Sequence, residues 1–154
     1  MLQKQIIILL LLLLPSCGYE ALYSKKNSIN YNFTVSELSF VGDRAVNLKL
    51  KEKLNNYTQD KKEKDFILRI SSTSEKIILS KNTAGDATSF KNSISINVEV
   101  LMNNNFKSNF TILESFNYNN IYNKFDLKQY EKDIKNNLAE AASDKLIFKL
   151  SNIQ

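Results

Sequence analysis

From Phe90 to Met102 the chain alternates: Phe90, Ile94, Ile96, Val98, Val100 and Met102 fall on one side, and Lys91, Ser93, Ser95, Asn97 and Glu99 on the other. Successive side chains of a β-strand point to opposite faces, so this segment is a strand with one wet face and one apolar face. The apolar face has to be covered. A chain carrying such a strand therefore needs partner strands beside it and a second layer above it, which points to an antiparallel sheet packed on one side.

The neighbouring segments supply both. Asn103 to Asn105 are turn residues, and Phe110, Ile112, Phe116 and Tyr118 continue the pattern in a following strand, with Glu114 interrupting its apolar face. Upstream, Phe66, Leu68 and Ile70 point one way while Ile67 and Arg69 point the other, and that strand runs on through Ile77, Ile78 and Leu79. Between these strands Ser80 to Ser89, SKNTAGDATS, has the composition of a hairpin loop. A first strand is expected over Asn32 to Val41, NFTVSELSFV, which is β-branched, aromatic and partly alternating, and which Gly42 stops.

Two segments have helical spacing. Asp43 can cap a helix whose apolar stripe is Val46, Leu50, Leu54 and Tyr57, with Lys49, Lys51, Glu52 and Lys53 on its other faces. The balanced cluster DKKEKD, Asp60 to Asp65, ends it as a solvated connector. A last helix is expected from Asp126, with Gln129 completing a capping box, and Leu127, Tyr130, Ile134, Leu138, Ala142, Leu146 and Leu150 down one side. The expected fold is α+β: a two-layer sandwich in the order β-α-β-β-β-α, with a four-stranded, mainly antiparallel sheet covered on one face by two helices. It forms one domain over residues 32–152. Tyr118, Tyr122, Phe125 and Tyr130 gather between the fourth strand and the last helix and are read as core or domain-edge packing.

The first residues are of another kind. Ile6 to Leu14 is an unbroken apolar run behind Lys4, ending in Pro15 and Ser16 before Cys17, the layout of a secretory signal peptide. It falls short of the roughly 20 apolar residues a spanning helix needs. Residues 1–16 are therefore read as a signal peptide, and residues 17–31, polar and without periodicity, as a tether. Removing the first 16 of 154 residues leaves 138, enough for a single core. Cys17 is the sole cysteine, so it cannot close an internal disulfide. Leu14, Pro15, Ser16 and Cys17 resemble a bacterial lipobox, which implies a diacylglyceryl group on Cys17 and cleavage just before it; the competing reading is a free thiol. Each buried acyl CH₂ contributes about 0.8 kcal/mol to anchoring, and two chains make it stable. Gly18 in place of aspartate after the cysteine implies, within the lipoprotein family, sorting to the outer membrane.

Little in the sequence points to catalysis. There is no histidine, hence no usual neutral-pH base and none of the commonest metal ligand. No Walker loop, G-x-G-x-x-G or G-x-S-x-G occurs, and three glycines are too few for a phosphate cradle. No catalytic residue, cofactor or metal site is assigned, and the protein is read as not an enzyme. The net charge of +5 comes with lysine far outnumbering arginine and with abundant asparagine, so the basic balance is not read as a nucleic-acid signal.

Cys17 within CGYEALYS, RISSTSEKIILSKNTAGDATSF leading into the long alternating strand, ESFNYNN, and the terminal AEAASDKLIFKL together resemble the lipopolysaccharide-assembly lipoprotein family LptE, in its alphaproteobacterial form. The resemblance covers nearly the whole mature chain. It implies a lipid-anchored protein on the periplasmic face of the outer membrane, plugging an LptD-like β-barrel and assisting lipopolysaccharide transport, with no nucleic-acid partner. It also implies lipopolysaccharide-binding cations near the loop between strands two and three and near the start of the last helix, where Lys81 and Lys128, with Lys91 and Lys124 close by, are the matches. Two other readings stand beside it: a lipoprotein accessory subunit of another envelope lipid-transport system, and an envelope hydrolase built on clustered carboxylates or a Ser/Lys pair.

Overall fold

A computed structural model describes residues 31–153; the signal segment, Cys17 and the tether up to residue 30 lie outside the described residues. The alternating segment is strand β3, Ala87–Met102, in the interior of a four-stranded sheet with spatial order β1-β2-β3-β4. Its neighbours β2, Lys64–Lys81, and β4, Asn105–Asn119, both run antiparallel to it. β1, Phe33–Gly42, pairs with β2 in parallel, because the helix α1, Arg44–Leu54, crosses between them. The second helix, α2, spans Lys124–Ser151. The expected element order and the two-layer α+β sandwich are both present.

The strands are longer than their apolar patterns. The β3–β4 turn is only Asn103-Asn104, both at positive φ (52° and 61°), the conformation that a two-residue hairpin requires and that asparagine tolerates. β4 therefore begins five residues before Phe110. The loop read as Ser80 to Ser89 contracts to Asn82–Asp86, where the Asp86 amide donates to Asn82 Oδ1 at 2.8 Å and Gly85 takes φ +91°.

One face of the sheet holds the core: Phe33 and Val35 from β1, Phe66, Leu68 and Ile70 from β2, Ile94, Ile96, Val98 and Val100 from β3, and Ile112 from β4. Val46, Leu50 and Leu54 of α1, and Ile134, Leu138, Ala142, Leu146 and Leu150 of α2, cover it as their spacing predicts. The partial alternation of β1 has a cause. A bulge at Ser36 moves the register by one residue, so that Phe33 and Val35 before it and Leu38 and Phe40 after it all face the core side. Helix α2 starts two residues earlier than Asp126: Asn123 is the cap, accepting from the Phe125 amide at 2.9 Å. Gln129 instead donates to Asp133 at 3.1 Å, one turn on, so no capping box forms.

Candidate functional site

Functional chemistry concentrates at the end of the sheet where the β2–β3 hairpin, the last residues of β4 and the N-terminal half of α2 meet. Past Ser72, β2 leaves the core, and every residue from Thr73 to Lys81 is exposed. Between this strand, β3 and α2 lies a cavity of about 450 Å³ whose polar lining includes Ser74, Lys76, Asn92, Glu131, Lys132 and Lys135. A smaller apolar groove of about 230 Å³ lies between Phe116 of β4 and Tyr130 and Ile134 of α2.

Charge in the larger cavity is organised. Lys76 Nζ sits 4.0 Å over the Phe90 ring and forms an ion pair with Glu131. Glu131 also accepts from the buried Tyr118 hydroxyl at 2.8 Å, and burial first, then Glu131, push that hydroxyl well above its ordinary pKa. Lys132 makes no ion pair among the described residues.

Behind the lining residues Ser74 and Lys135, Asp43 joins three elements. Its Oδ1 caps α1, accepting from the Ala45 and Val46 amides at 3.0 and 3.1 Å. Its Oδ2 accepts from Ser74 of β2 at 2.6 Å and from Lys135 of α2. Burial alone would raise this carboxyl; the hydrogen bonds from Lys135, Ser74 and Val46, with the Lys135 charge, outweigh it and lower the pKa from 3.8 to about 2. The folded state thus holds the ionised form more tightly than the unfolded chain does. Stability from Asp43, about 2 kcal/mol, is present above pH ~4 and is lost as pH falls from there toward pH ~2. We predict that Asp43→Asn, which keeps a capping oxygen but loses the Lys135 ion pair, costs about 1–2 kcal/mol at pH 7 and flattens that acid limb. Urea midpoints for both proteins at neutral, mildly acidic and strongly acidic pH check this; an unchanged acid limb would overturn it.

The four lysines assigned from the family resemblance fall as follows. Lys81 ends β2 at the hairpin, and Lys124 and Lys128 lie on the first turns of α2, all three exposed and at the same end of the sheet. Lys91 belongs to the sheet face away from the helices, directly across the ladder from Ile77. None of the four forms an ion pair among the described residues. The cavity group of Lys76, Glu131, Lys135 and Tyr118 was missed by sequence reasoning. The spacing of Glu131 and Lys135 on α2 was its one legible trace.

The aromatic cluster divides. Tyr118 is buried and meets Tyr130 edge-on at 5.9 Å, as packing residues do. Tyr122 and Phe125 do not pack: Tyr122 is fully exposed and Phe125 is 76% exposed. The Asn123 cap ends the loop where it does, and these two side chains project from either side of it. Among the described residues no cluster of acidic, cysteine or histidine side chains could hold a metal ion, and no helix is long and apolar enough to cross a membrane.

No family model matches the chain, and no curated protein does. Solved structures share its architecture. The minor lipoprotein from Acinetobacter baumannii superposes with a TM-score of 0.58 at 12% identity, over 79% of this chain and 91% of that one. Rare lipoprotein B from Shewanella oneidensis gives 0.54 at 13% identity, over 78% and 96%. Lipoprotein B from Nitrosomonas europaea gives 0.58 at 14%, over 79% and 83%. The chain therefore has the fold of these lipoproteins.

Proposed function

We propose that this protein is a lipid-anchored, non-enzymatic component of the outer membrane, held on the periplasmic face through Cys17, that plugs an LptD-like β-barrel and assists barrel assembly and lipopolysaccharide transport. The observation that carries the reading is the combination of a lipobox-like start with a sandwich fold shared with rare lipoprotein B. The uncovered sheet face supports it. That face presents Ser71, Thr73, Ser93, Ser95, Asn97 and Thr111, small polar side chains suited to the wet, polar lumen of a large barrel.

Affinity capture of the tagged full chain from solubilised outer membranes tests the reading. A large β-barrel recovered in about equal amount supports it. Recovery of an inner-membrane transporter, or of no stable partner, overturns it and favours the accessory-subunit reading. For the ligand, Lys81 and Lys128 are the residues to reverse. The double variant Lys81→Glu, Lys128→Glu is expected to weaken lipopolysaccharide binding by roughly tenfold or more, since each lysine near an anionic lipid surface contributes about 1 kcal/mol. Full retention of binding would remove both residues from the site.

A further inference from the structure

We propose that β4 is a docking edge for a second copy of this chain, the two β4 strands pairing antiparallel about a twofold axis at Leu113 so that the two sheets continue as one. β4 stands at the end of the strand order and pairs with β3 alone, so the N–H and C=O groups of its outer side meet no strand among the described residues. Edges are ordinarily blunted by proline, bulges or lysine. β4 has no proline, its one bulge and its one lysine coincide at Lys107, and from Ser108 to Asn119 its ladder is unbroken. The inward charge of Glu114 is met by Lys145 of α2. The opposite edge differs, because β1 is bulged at Ser36 within its paired length.

Side chains select the register. A twofold axis normal to the sheet keeps the helices of both copies on one side and sets each residue opposite one of the same face. With the axis at Leu113, the two leucines, each 71% exposed, cover one another on the open face. On the helix face Phe116, 48% exposed, stands opposite Phe110 of the second copy, and Thr111 and Asn109 stand opposite Ser115 and Asn117. Moving the axis to Glu114 would oppose two carboxylates. Moving it to Ile112 would set Leu113 against Thr111 and Phe116 against Ser108, leaving the apolar residues without apolar partners.

Charge complementarity selects a second copy over any other extended chain. Helix α2 runs back along β4: Tyr130, near its start, meets Tyr118, and Lys149, near its end, lies 4.9 Å over the Phe110 ring. Setting Phe110 of one copy against Phe116 of the other therefore carries Lys149 to the apolar groove beside Phe116, whose lining includes Asp133. Asp133 accepts from Gln129, and neither it nor Lys149 has an ion-pair partner among the described residues. The axis repeats this contact at both ends of the paired segment. An interface of this kind closes at two copies. The proposal goes beyond barrel docking and does not depend on it: a chain that captured no barrel would still pair through β4.

Sedimentation equilibrium of the full-length chain in density-matched detergent tests the pairing. The expected mass rises with protein concentration from one polypeptide toward two and stops there. Leu113→Lys, at an exposed position that the fold tolerates, sets like charges against each other on the axis and should weaken association by roughly tenfold. Asp133→Lys should weaken it as well, and adding Lys149→Asp should restore it, since the swap rebuilds both contacts with their signs exchanged. The register is read by a short bismaleimide crosslinker. Leu113→Cys should form a covalent pair, whereas Leu48→Cys, exposed on α1, should not exceed the unaltered chain, which carries the same Cys17. A single polypeptide at every concentration, growth beyond two copies, equal crosslinking at both positions, or a charge swap as weak as Asp133→Lys alone would overturn the proposal.

Discussion

Replacing Phe66 with alanine is expected to lower the free energy of unfolding by about 4 kcal/mol, the cost of losing a buried aromatic side chain and leaving a void in its place. Phe66 is completely buried, stands between Val35 on β1 and Met102 on β3, and packs its ring 5.8 Å from that of Phe33. This is where the parallel and antiparallel halves of the sheet meet, so the void cannot close without moving a strand. Urea denaturation would show a lower midpoint with an unchanged slope, and the thermal midpoint should fall by roughly 15 °C. Leu113→Ala is the control. That leucine is 71% exposed on the uncovered face of β4, and its loss should stay within about 0.5 kcal/mol. A cost at Phe66 no larger than at Leu113 would contradict this packing.

Gly42→Ala should be of similar severity for a different reason. Gly42 ends β1 at φ +102°, and a Cβ there would lie 1.9 Å from the carbonyl oxygen of Ser72 on β2. That oxygen is already in use, accepting from the Asp43 amide at 3.0 Å as the chain turns from β1 into α1. Relief would require pulling β1 from β2 or breaking the turn that sets Asp43 against α1, so we expect a loss of about 3 kcal/mol or more. Gly85 separates the two contributions. It has a similar φ of +91° but nothing near its missing Cβ, so Gly85→Ala should cost only about 1 kcal/mol of backbone strain. Equal losses at the two glycines would mean that the close approach at Ser72 contributes nothing.

These residues also show how far a reading of the sequence reaches. Gly42 was legible as the stop of a strand and Asp43 as a cap, because both signals are local: one backbone conformation and one side-chain acceptor. That Gly42 touches Ser72, and that Asp43 binds Ser74 and Lys135, depends on residues about 30 and 90 positions away, and nothing in their spacing announces it. The boundaries of β2, β3 and β4 were underestimated for a related reason. Alternation reports burial of one face, whereas ladder hydrogen bonds continue past the edge of the core, as they do from Thr73 to Lys81.

Aromatic residues misled in the opposite direction. Tyr118, Tyr122, Phe125 and Tyr130 look alike in composition, yet the first is buried under Tyr130 while Tyr122 and Phe125 face solvent. Tyr122 precedes the Asn123 cap and Phe125 stands in the first turn of α2, and both project into solvent there.

By itself, then, the sequence determined the periodicities: strands repeating every two residues, helices repeating between three and four, and hence one apolar sheet face with two helices to cover it. Periodicity is a property of neighbouring residues, so it survives being read one window at a time. The tertiary structure alone decided that β1 joins β2 in parallel, that Asp43, Ser74 and Lys135 meet, and that the apolar residues of the hairpin end in solvent beside unpaired lysines. Each of these follows from where strands cross and where helices end, and those positions are set by the packing of the whole chain.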